Sequence, residues 1–128
     1  MIYAIDFDGT IVEDKFPAIG ELIPYAIECC KILQERDNEV ILWTCRTAEQ
    51  LEMVLDFLKL KGFVPAIVND DSNKMKELFP VGRPRKVYAD IYIDDHTPGL
   101  YKNPEAMKKF WKDFYEELTS EKIKENEI

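Results

Sequence analysis

Short apolar runs that end in polar residues alternate with segments of helical period along the chain. The apolar runs cover residues 1–8, 39–44, 63–69 and 91–95. Runs of this length, apolar at nearly every position, are typical of strands that are covered on both faces. Strands separated in this way by helices are the pattern of a mainly parallel sheet, because parallel neighbours need a long crossover connection.

Four segments between and after these runs carry the apolar spacing of helices. We predict helices over Glu21–Arg36, from Thr47 to Gly62, over Ser72–Phe79 and after Asn103. Thr47 and Gln50 have the spacing of a capping box. The last helix, over residues 103–120, carries an apolar stripe expected to pack on the core, formed by Met107, Phe110, Trp111, Phe114, Tyr115 and Leu118. The chain thus predicts a Rossmann-like open α/β sheet with helices on both faces, as one domain of residues 1–128.

Composition excludes several classes of protein. With 17 Lys and Arg against 25 Asp and Glu, the net charge is −8, which disfavours nucleic-acid binding that depends on phosphate neutralisation. No segment has the roughly 20 apolar residues of a membrane span, and no signal-like region opens the chain, so we expect a cytoplasmic protein. We expect the three cysteines, Cys29, Cys30 and Cys45, to be buried, small apolar side chains without disulfides.

Polar side chains follow every predicted strand. They are Asp6 and Asp8 after the first strand, Thr44 after the second, Asn69 after the third, and Asp94 and Asp95 after the fourth. Ligands of open parallel sheets bind outside the carboxyl ends of the strands, where the strand order reverses. We therefore expect these side chains to meet at one edge of the sheet and to form the functional site.

The chemistry of such a set is that of a metal-assisted phosphoryl transfer. Carboxylates held close together repel unless a cation offsets their charge, and the oxygens of Asp6, Asp94 and Asp95 suit Mg²⁺ better than zinc. A carboxylate can attack phosphorus, and a second carboxyl group can carry the proton. A hydroxyl such as that of Thr44 and a lysine would hold the phosphate oxygens.

The stretch Asp6-Phe-Asp8-Gly9-Thr10 resembles the signature of the haloacid dehalogenase-like hydrolases, and Thr44, a downstream lysine and Asp94-Asp95 are similar to that superfamily's other motifs. The resemblance covers residues 1–96. It implies that Asp6 is the nucleophile and Asp8 the general acid and base. It also implies Mg²⁺ on Asp6, Asp8 (through its carbonyl oxygen) and Asp94 or Asp95, with phosphate bound by Thr44 and a lysine. We further expect Gly9, Thr10 and Arg46 to bind the phosphate or the substrate.

Several assignments stay open at this point. Lys86 is the favoured lysine, because it leads into the aspartate pair, and Lys74 is the alternative. Arg46 is predicted to contact substrate or to form a surface ion pair. Three further residues have either a functional or a purely structural interpretation. Asn69 lines the site or orients a loop, and His96 is expected to be a loop residue rather than catalytic. Glu13 could contact substrate, because it lies on the flap that the resemblance implies over residues 11–19.

The spacing of the motifs leaves no room for the cap domain that many members of the superfamily carry. We therefore predict a small, capless, Mg²⁺-dependent phosphatase that acts on a small phosphorylated molecule. Its open site would also admit a bulky substrate, unless a second copy of the chain covers the site. No membrane partner is expected. The alternatives are a phospho-accepting signalling domain, which the order of the motifs disfavours, and a catalytically silent binding protein on the same fold.

Overall fold

The sheet has four parallel strands in the order β3-β2-β1-β4. The structure is a computed structural model that describes residues 1–127 and the side chains of residues 1–120. The strands are β1 (Ile2–Ile5), β2 (Glu39–Leu42), β3 (Ile67–Val68) and β4 (Ile91–Ile93). Ile5 pairs with Leu42 on one side and with Ile93 on the other, so β1 lies in the middle of the sheet. The predicted open parallel sheet is confirmed.

Helices cover both faces of the sheet, as predicted. They are α1 (Ala26–Glu35), α2 (Ala48–Leu60), α3 (Asn73–Leu78) and α4 (Pro104–Glu127). Because successive strand residues point to opposite faces, Tyr3 and Ile5 join the main core with residues of α1, α2 and α4. Ile2 and Ala4 face the other way, where Met75 of α3 packs on a smaller core. Each connection between consecutive strands contains one helix.

Helix α1 begins five residues later than predicted, and the reason lies in the segment before it. The Ile23 N–H donates to the Ile11 carbonyl at 2.9 Å, and Val12 and Leu22 form an antiparallel bridge. Tyr25 then adopts a left-handed backbone with φ 71°. The apolar residues at 22 and 23 therefore serve a strand-like pairing rather than a helix face.

This pairing closes a loop beside the carboxyl end of β1, which we call the strap (residues 14–20). Its ends are joined by a hydrogen bond of 2.8 Å from the Glu13 N–H to the Glu21 carbonyl. The approach is so close that a Cβ on Gly20 would lie 2.0 Å from the Glu13 oxygen. The predicted irregular stretch after β1 is thus a closed loop of defined shape.

The aromatic stripe of α4 packs on the core, as predicted. Met107, Trp111 and Leu118 are buried, and Phe110, Phe114 and Tyr115 pack against them. The Trp111 indole N–H also donates to the Thr10 carbonyl at 2.7 Å. Because Thr10 lies in the loop after β1, this bond attaches the last helix to the loop that carries the first motif.

Two further expectations concern cysteines and membranes. Cys29 and Cys30 are buried, but Cys45 is exposed, so the prediction was wrong for Cys45. It lies in the loop between β2 and α2, where no packed face covers it.

Among the described residues, no helix has the length and apolar character needed to cross a bilayer.

We expect Trp111→Phe to lower the free energy of unfolding by about 1–3 kcal/mol, because the buried Thr10 carbonyl loses its partner. Urea denaturation would measure this loss. Trp43→Phe is the matched control, since Trp43 is only half-buried, and we expect it to cost less than about 1 kcal/mol. Equal losses in both variants would contradict the anchoring role of the indole N–H.

Candidate functional site

Three carboxylates meet at the carboxyl edge of the sheet, between β1 and β4. Asp6 follows β1, and Asp94 and Asp95 follow β4, and each offers an oxygen within 4.8 Å of the others. The Asp6 N–H donates to the Ile93 carbonyl at 2.9 Å, which keeps the two strand ends side by side. After β1 the chain crosses to β2 on one side, whereas β4 lies on the other. The carboxylates therefore lie where the strand order reverses, the usual ligand position in such sheets.

Thr10 fixes the two strand ends relative to each other. Its side chain is completely buried. The hydroxyl donates to Asp6 Oδ2 at 3.2 Å and accepts from the Asp95 N–H at 3.0 Å. Both of these bonds organise the carboxylates, so this geometry gives the hydroxyl no access to a ligand. The hydroxyl therefore does not offer the predicted phosphate contact in this geometry, and the phosphate-binding role of Thr10 stays a prediction.

Gly9 lets Asp95 approach. Its backbone has φ +81°, and a Cβ at this position would lie 2.2 Å from Asp95 Oδ2. Residues with a Cβ rarely adopt that φ. Gly9 is therefore required here for two reasons, the backbone conformation and the space that the carboxylate occupies.

The cluster is electrostatically costly as it stands. Burial, together with the nearby charge of Asp94, raises the pKa of Asp6 to about 8. Burial also raises the pKa of Asp95. Asp95 Oδ1 is buried, and no described residue donates a hydrogen bond to it. Hard oxygen donors, one of them without a partner, are the set that a small divalent cation fits.

Asp8 does not join this cluster. Its carboxylate forms a two-pronged ion pair with Arg46, at 2.7 Å from Nε and 2.8 Å from Nη2. The predicted metal contact through the Asp8 carbonyl stays a prediction. Arg46 is not open to substrate either, because its side chain is only 1% exposed. Arg46 does form an ion pair, but a buried one rather than the surface pair that was expected.

Thr44 and Asn69 hold the ends of β2 and β3 together. The Thr44 N–H donates to Asn69 Oδ1, and Asn69 Nδ2 donates to the Thr44 carbonyl, both at 2.8 Å. The Thr44 hydroxyl accepts from the Arg46 N–H at 3.1 Å. Asn69 thus orients the loop, the structural alternative of its two interpretations. The phosphate-binding role of Thr44 stays a prediction.

The lysine predicted for the phosphate is not in contact with the carboxylates. The Lys86 ammonium lies 4.9 Å from the centre of the Tyr92 ring, and among the side chains of residues 1–120 it forms no ion pair. Lys74 lines a cavity with Met1 and Asp90, at the opposite edge of the sheet. That position disfavours Lys74, and Lys86 remains the candidate.

A cavity of about 250 Å³ adjoins the carboxylates. Gly9 and Asp95 form part of its wall, and the strap and the start of α4 form the rest, with Glu13, Lys15, Lys102 and Lys108. Glu13 therefore borders the space that a ligand would enter. His96 is exposed and stacks edge-on against Tyr101, with Nε2 3.9 Å from Asp95 Oδ1.

The pairing of Asp8 with Arg46 could not be predicted from the residue pattern alone. The two residues lie 38 positions apart, and no local spacing relates them. One signal was present. Arg46 follows Thr44 by two positions at the end of β2, and β2 pairs with β1, so the neighbouring strand end could be expected to face it.

We expect Asp6→Asn to stabilise the metal-free protein at pH 7. Because the folded pKa of about 8 exceeds the ordinary 3.8, the unfolded chain releases this proton first, and stability falls between about pH 4 and pH 8. Asparagine removes that fall. The free energy of unfolding, measured at pH 4 and pH 7, should favour the variant at pH 7 only.

The control for this prediction is Asp70→Asn. Asp70 is exposed, and its hydrogen bond from Lys76 holds its pKa below the ordinary value, so its loss should not stabilise the fold at pH 7. If Asp6→Asn behaves like Asp70→Asn, the carboxylates are not crowded in solution.

We expect Gly9→Ala to abolish the binding of a divalent cation at the three carboxylates, since the methyl group would take the place of the Asp95 carboxylate. Gly82→Ala is the matched control, because Gly82 also has a positive φ (+75°) but has open space around it. Both variants should lose about 1 kcal/mol of stability from backbone strain. Titration calorimetry with Mg²⁺ should separate them, and equal affinity would contradict the role of Gly9.

Comparison with known proteins identifies a relative of the same fold. No protein-family model matches the chain, and no curated protein is significantly similar to it. A solved structure of a conserved protein from Bacteroides thetaiotaomicron matches with a TM-score of 0.70 and 35% identity, over 88% of this chain and 90% of that one. At this identity and coverage, the chain belongs to the same family as that conserved Bacteroides protein.

Proposed function

We propose that the protein is a Mg²⁺-dependent phosphomonoester hydrolase of the haloacid dehalogenase-like type. The observation that carries the proposal is the meeting of Asp6, Asp94 and Asp95 at the point where the strand order reverses. The Asp6-x-Asp8-Gly9-Thr10 stretch and the order of the remaining motifs support it. Neither the fold nor the related Bacteroides protein assigns a reaction by itself.

Asp6, Asp94 and Asp95 would hold the metal. They supply oxygen donors, and the Asp95 oxygen that accepts no hydrogen bond from the described residues is the kind of group that a cation satisfies. A bound Mg²⁺ would offset the repulsion among the carboxylates and neutralise charge on a phosphate. With the cation present, Asp6 would be ionised at neutral pH and able to act as a nucleophile.

The reaction would proceed in two displacements. In the first, an Asp6 carboxylate oxygen forms a bond to phosphorus, the bond to the ester oxygen breaks, and Asp8 donates a proton to the departing alcohol. In the second, water attacks the phosphorus of the aspartyl-phosphate and gives its proton to Asp8. Inorganic phosphate leaves, and Asp6 is restored as a carboxylate.

Thr44 and Lys86 would hold the phosphate oxygens. Asn69 fixes the backbone at Thr44, so the hydroxyl has a defined position beside the end of β2. Lys86 would have to leave the face of Tyr92, and such a contact with an aromatic ring is worth only about 0.5–1 kcal/mol at an exposed site. The alcohol part of a small phosphorylated substrate would occupy the cavity between the strap and α4.

We expect Asp6→Asn to reduce the Mg²⁺-dependent hydrolysis of 4-nitrophenyl phosphate to background, because the amide cannot attack phosphorus. The loss in kcat should be at least about 1000-fold. Asp70→Asn, at another strand end of the same edge, should keep the wild-type rate. Undiminished turnover by Asp6→Asn in Mg²⁺ would refute the mechanism, and no turnover by the wild type of any phosphomonoester in a broad panel would refute the function.

A further inference from the structure

We propose that Arg46 is a positioning residue that holds Asp8 and the strap in one unit, so that proton transfer by Asp8 depends on it. The proposal rests on the proposed function, because it assigns Asp8 the transfer of a proton. It goes beyond that function by giving a buried arginine, which contacts no substrate, control over one step. It also assigns the strap a task, namely to hold the arginine in place.

The guanidinium of Arg46 makes four hydrogen bonds. Two go to the carboxylate oxygens of Asp8, one on each oxygen, at 2.7 and 2.8 Å. The other two go to strap carbonyls, those of Pro17 and Ala18, both at 2.9 Å. A planar guanidinium presents its donors in a fixed fork, so both sets of partners hold a single orientation of the side chain.

The surroundings of the guanidinium strengthen this hold. Its central carbon lies 5.0 Å from the centre of the Phe16 ring on the strap and 5.7 Å from that of Phe7, beside Asp8. The side chain of Arg46 is 1% exposed, and that of Asp8 is 18% exposed. Solvent therefore competes weakly for the arginine, whereas the Asp8 carboxylate stays partly accessible. Hydrogen bonds to Asp8 also raise the pKa of Arg46, so the guanidinium stays charged.

This arrangement fixes where the proton carrier can reach. A general acid works only within hydrogen-bond distance of the oxygen that departs, and displacement by about an ångström can cost a large part of the rate. Arg46 sets the direction of the Asp8 carboxylate, and the strap sets the position of Arg46. If Arg46 is removed, the Asp8 carboxylate can rotate and no longer has a fixed orientation.

Aryl and alkyl phosphate esters differ in how much their hydrolysis should depend on Arg46. An aryl oxide such as 4-nitrophenolate departs without a proton, whereas an alkyl oxygen needs one as it leaves. A defect in proton transfer therefore falls on alkyl phosphates. A defect that merely loosens the fold, or displaces Asp6, falls on both kinds of ester alike.

The chain offers a matched control pair, Arg83 and Asp71. Arg83 Nε lies 3.0 Å from Asp71 Oδ2, and Nη1 donates to the carbonyls of Phe79 and Pro80 at 2.9 and 3.4 Å. Like Arg46, it joins one carboxylate to two carbonyls of a neighbouring loop. Neither Asp71 nor Arg83 belongs to the proposed reaction.

The first test compares hydrolysis of 4-nitrophenyl phosphate and of glycerol 2-phosphate by the wild type, Arg46→Met, Arg46→Lys and Arg83→Met, all with Mg²⁺. We expect Arg46→Met to lose on the order of 100-fold in kcat on the alkyl ester and less than about 10-fold on the aryl ester, with little change in KM. Arg46→Lys, which can keep one bond to Asp8, should fall between. Arg83→Met should keep the wild-type ratio of the two rates, whatever its absolute rates.

The second test needs neither substrate nor metal. Hydrogen exchange of the two amides that close the strap, those of Glu13 and Ile23, which donate to the Glu21 and Ile11 carbonyls, should be faster in Arg46→Met than in the wild type, and unchanged in Arg83→Met. Thermal unfolding establishes that each variant is folded. If Arg46→Met does not fold, Arg46→Lys serves in its place, with a smaller shift in the same direction in both tests.

Each outcome supports or overturns the proposal. An equal loss on both esters, or strap exchange at the wild-type rate in Arg46→Met, would overturn the proposal for Arg46. Hydrolysis by the wild type would still support the proposed function in that case. Failure of the wild type to hydrolyse either ester, and any other phosphomonoester, would overturn the function and the role of Arg46 in proton transfer together. A selective loss on the alkyl ester with faster strap exchange would establish both parts.

Discussion

The structure is organised around the repulsion of three carboxylates. Asp6, Asp94 and Asp95 come together because β1 and β4 are parallel neighbours that end at the same edge. Burial makes the crowding worse, and the pKa of Asp6 rises to about 8 in response. A fold keeps such a cluster only if other contacts hold it or if a cation offsets the charge.

The contacts that hold the cluster extend through the whole chain. The hydroxyl of Thr10 donates to Asp6 and accepts from the Asp95 N–H, and the Trp111 indole N–H donates to the Thr10 carbonyl. Trp111 is part of the core that α4 forms with α1. Packing of the last helix is therefore connected by two hydrogen bonds to the position of the first carboxylate. On the other side of β1, Arg46 connects Asp8 to the strap.

Much of this arrangement could be predicted from residue patterns. The alternation of apolar runs and helical segments specifies the parallel sheet, and a polar residue after each strand indicates the edge that binds ligands. Asp6, Asp94 and Asp95 were expected to meet because each follows a strand directly. The stripe of α4 was expected in the core, since Met107, Trp111 and Leu118 share one side of a helix.

Other features depend on contacts that no local pattern encodes. Leu22 and Ile23 fit a helix by spacing, yet they pair with residues 11 and 12 to close the strap. Thr10 was expected to bind phosphate, but its hydroxyl is buried and bonds Asp6 and the Asp95 N–H instead. Arg46 has the position of a substrate contact, and only the fold shows that Asp8 and two carbonyls already occupy its donors. In each case a long-range partner decides the role of the side chain.

The central claim is that the three carboxylates form one cation site. A crystal structure of the protein grown with Mg²⁺ tests it most directly. The account predicts one ion with ligand distances of about 2.0–2.1 Å, bound to oxygens of Asp6 and of the Asp94-Asp95 pair. Carboxylates turned away from one another, with no ion between them at saturating Mg²⁺, would contradict it.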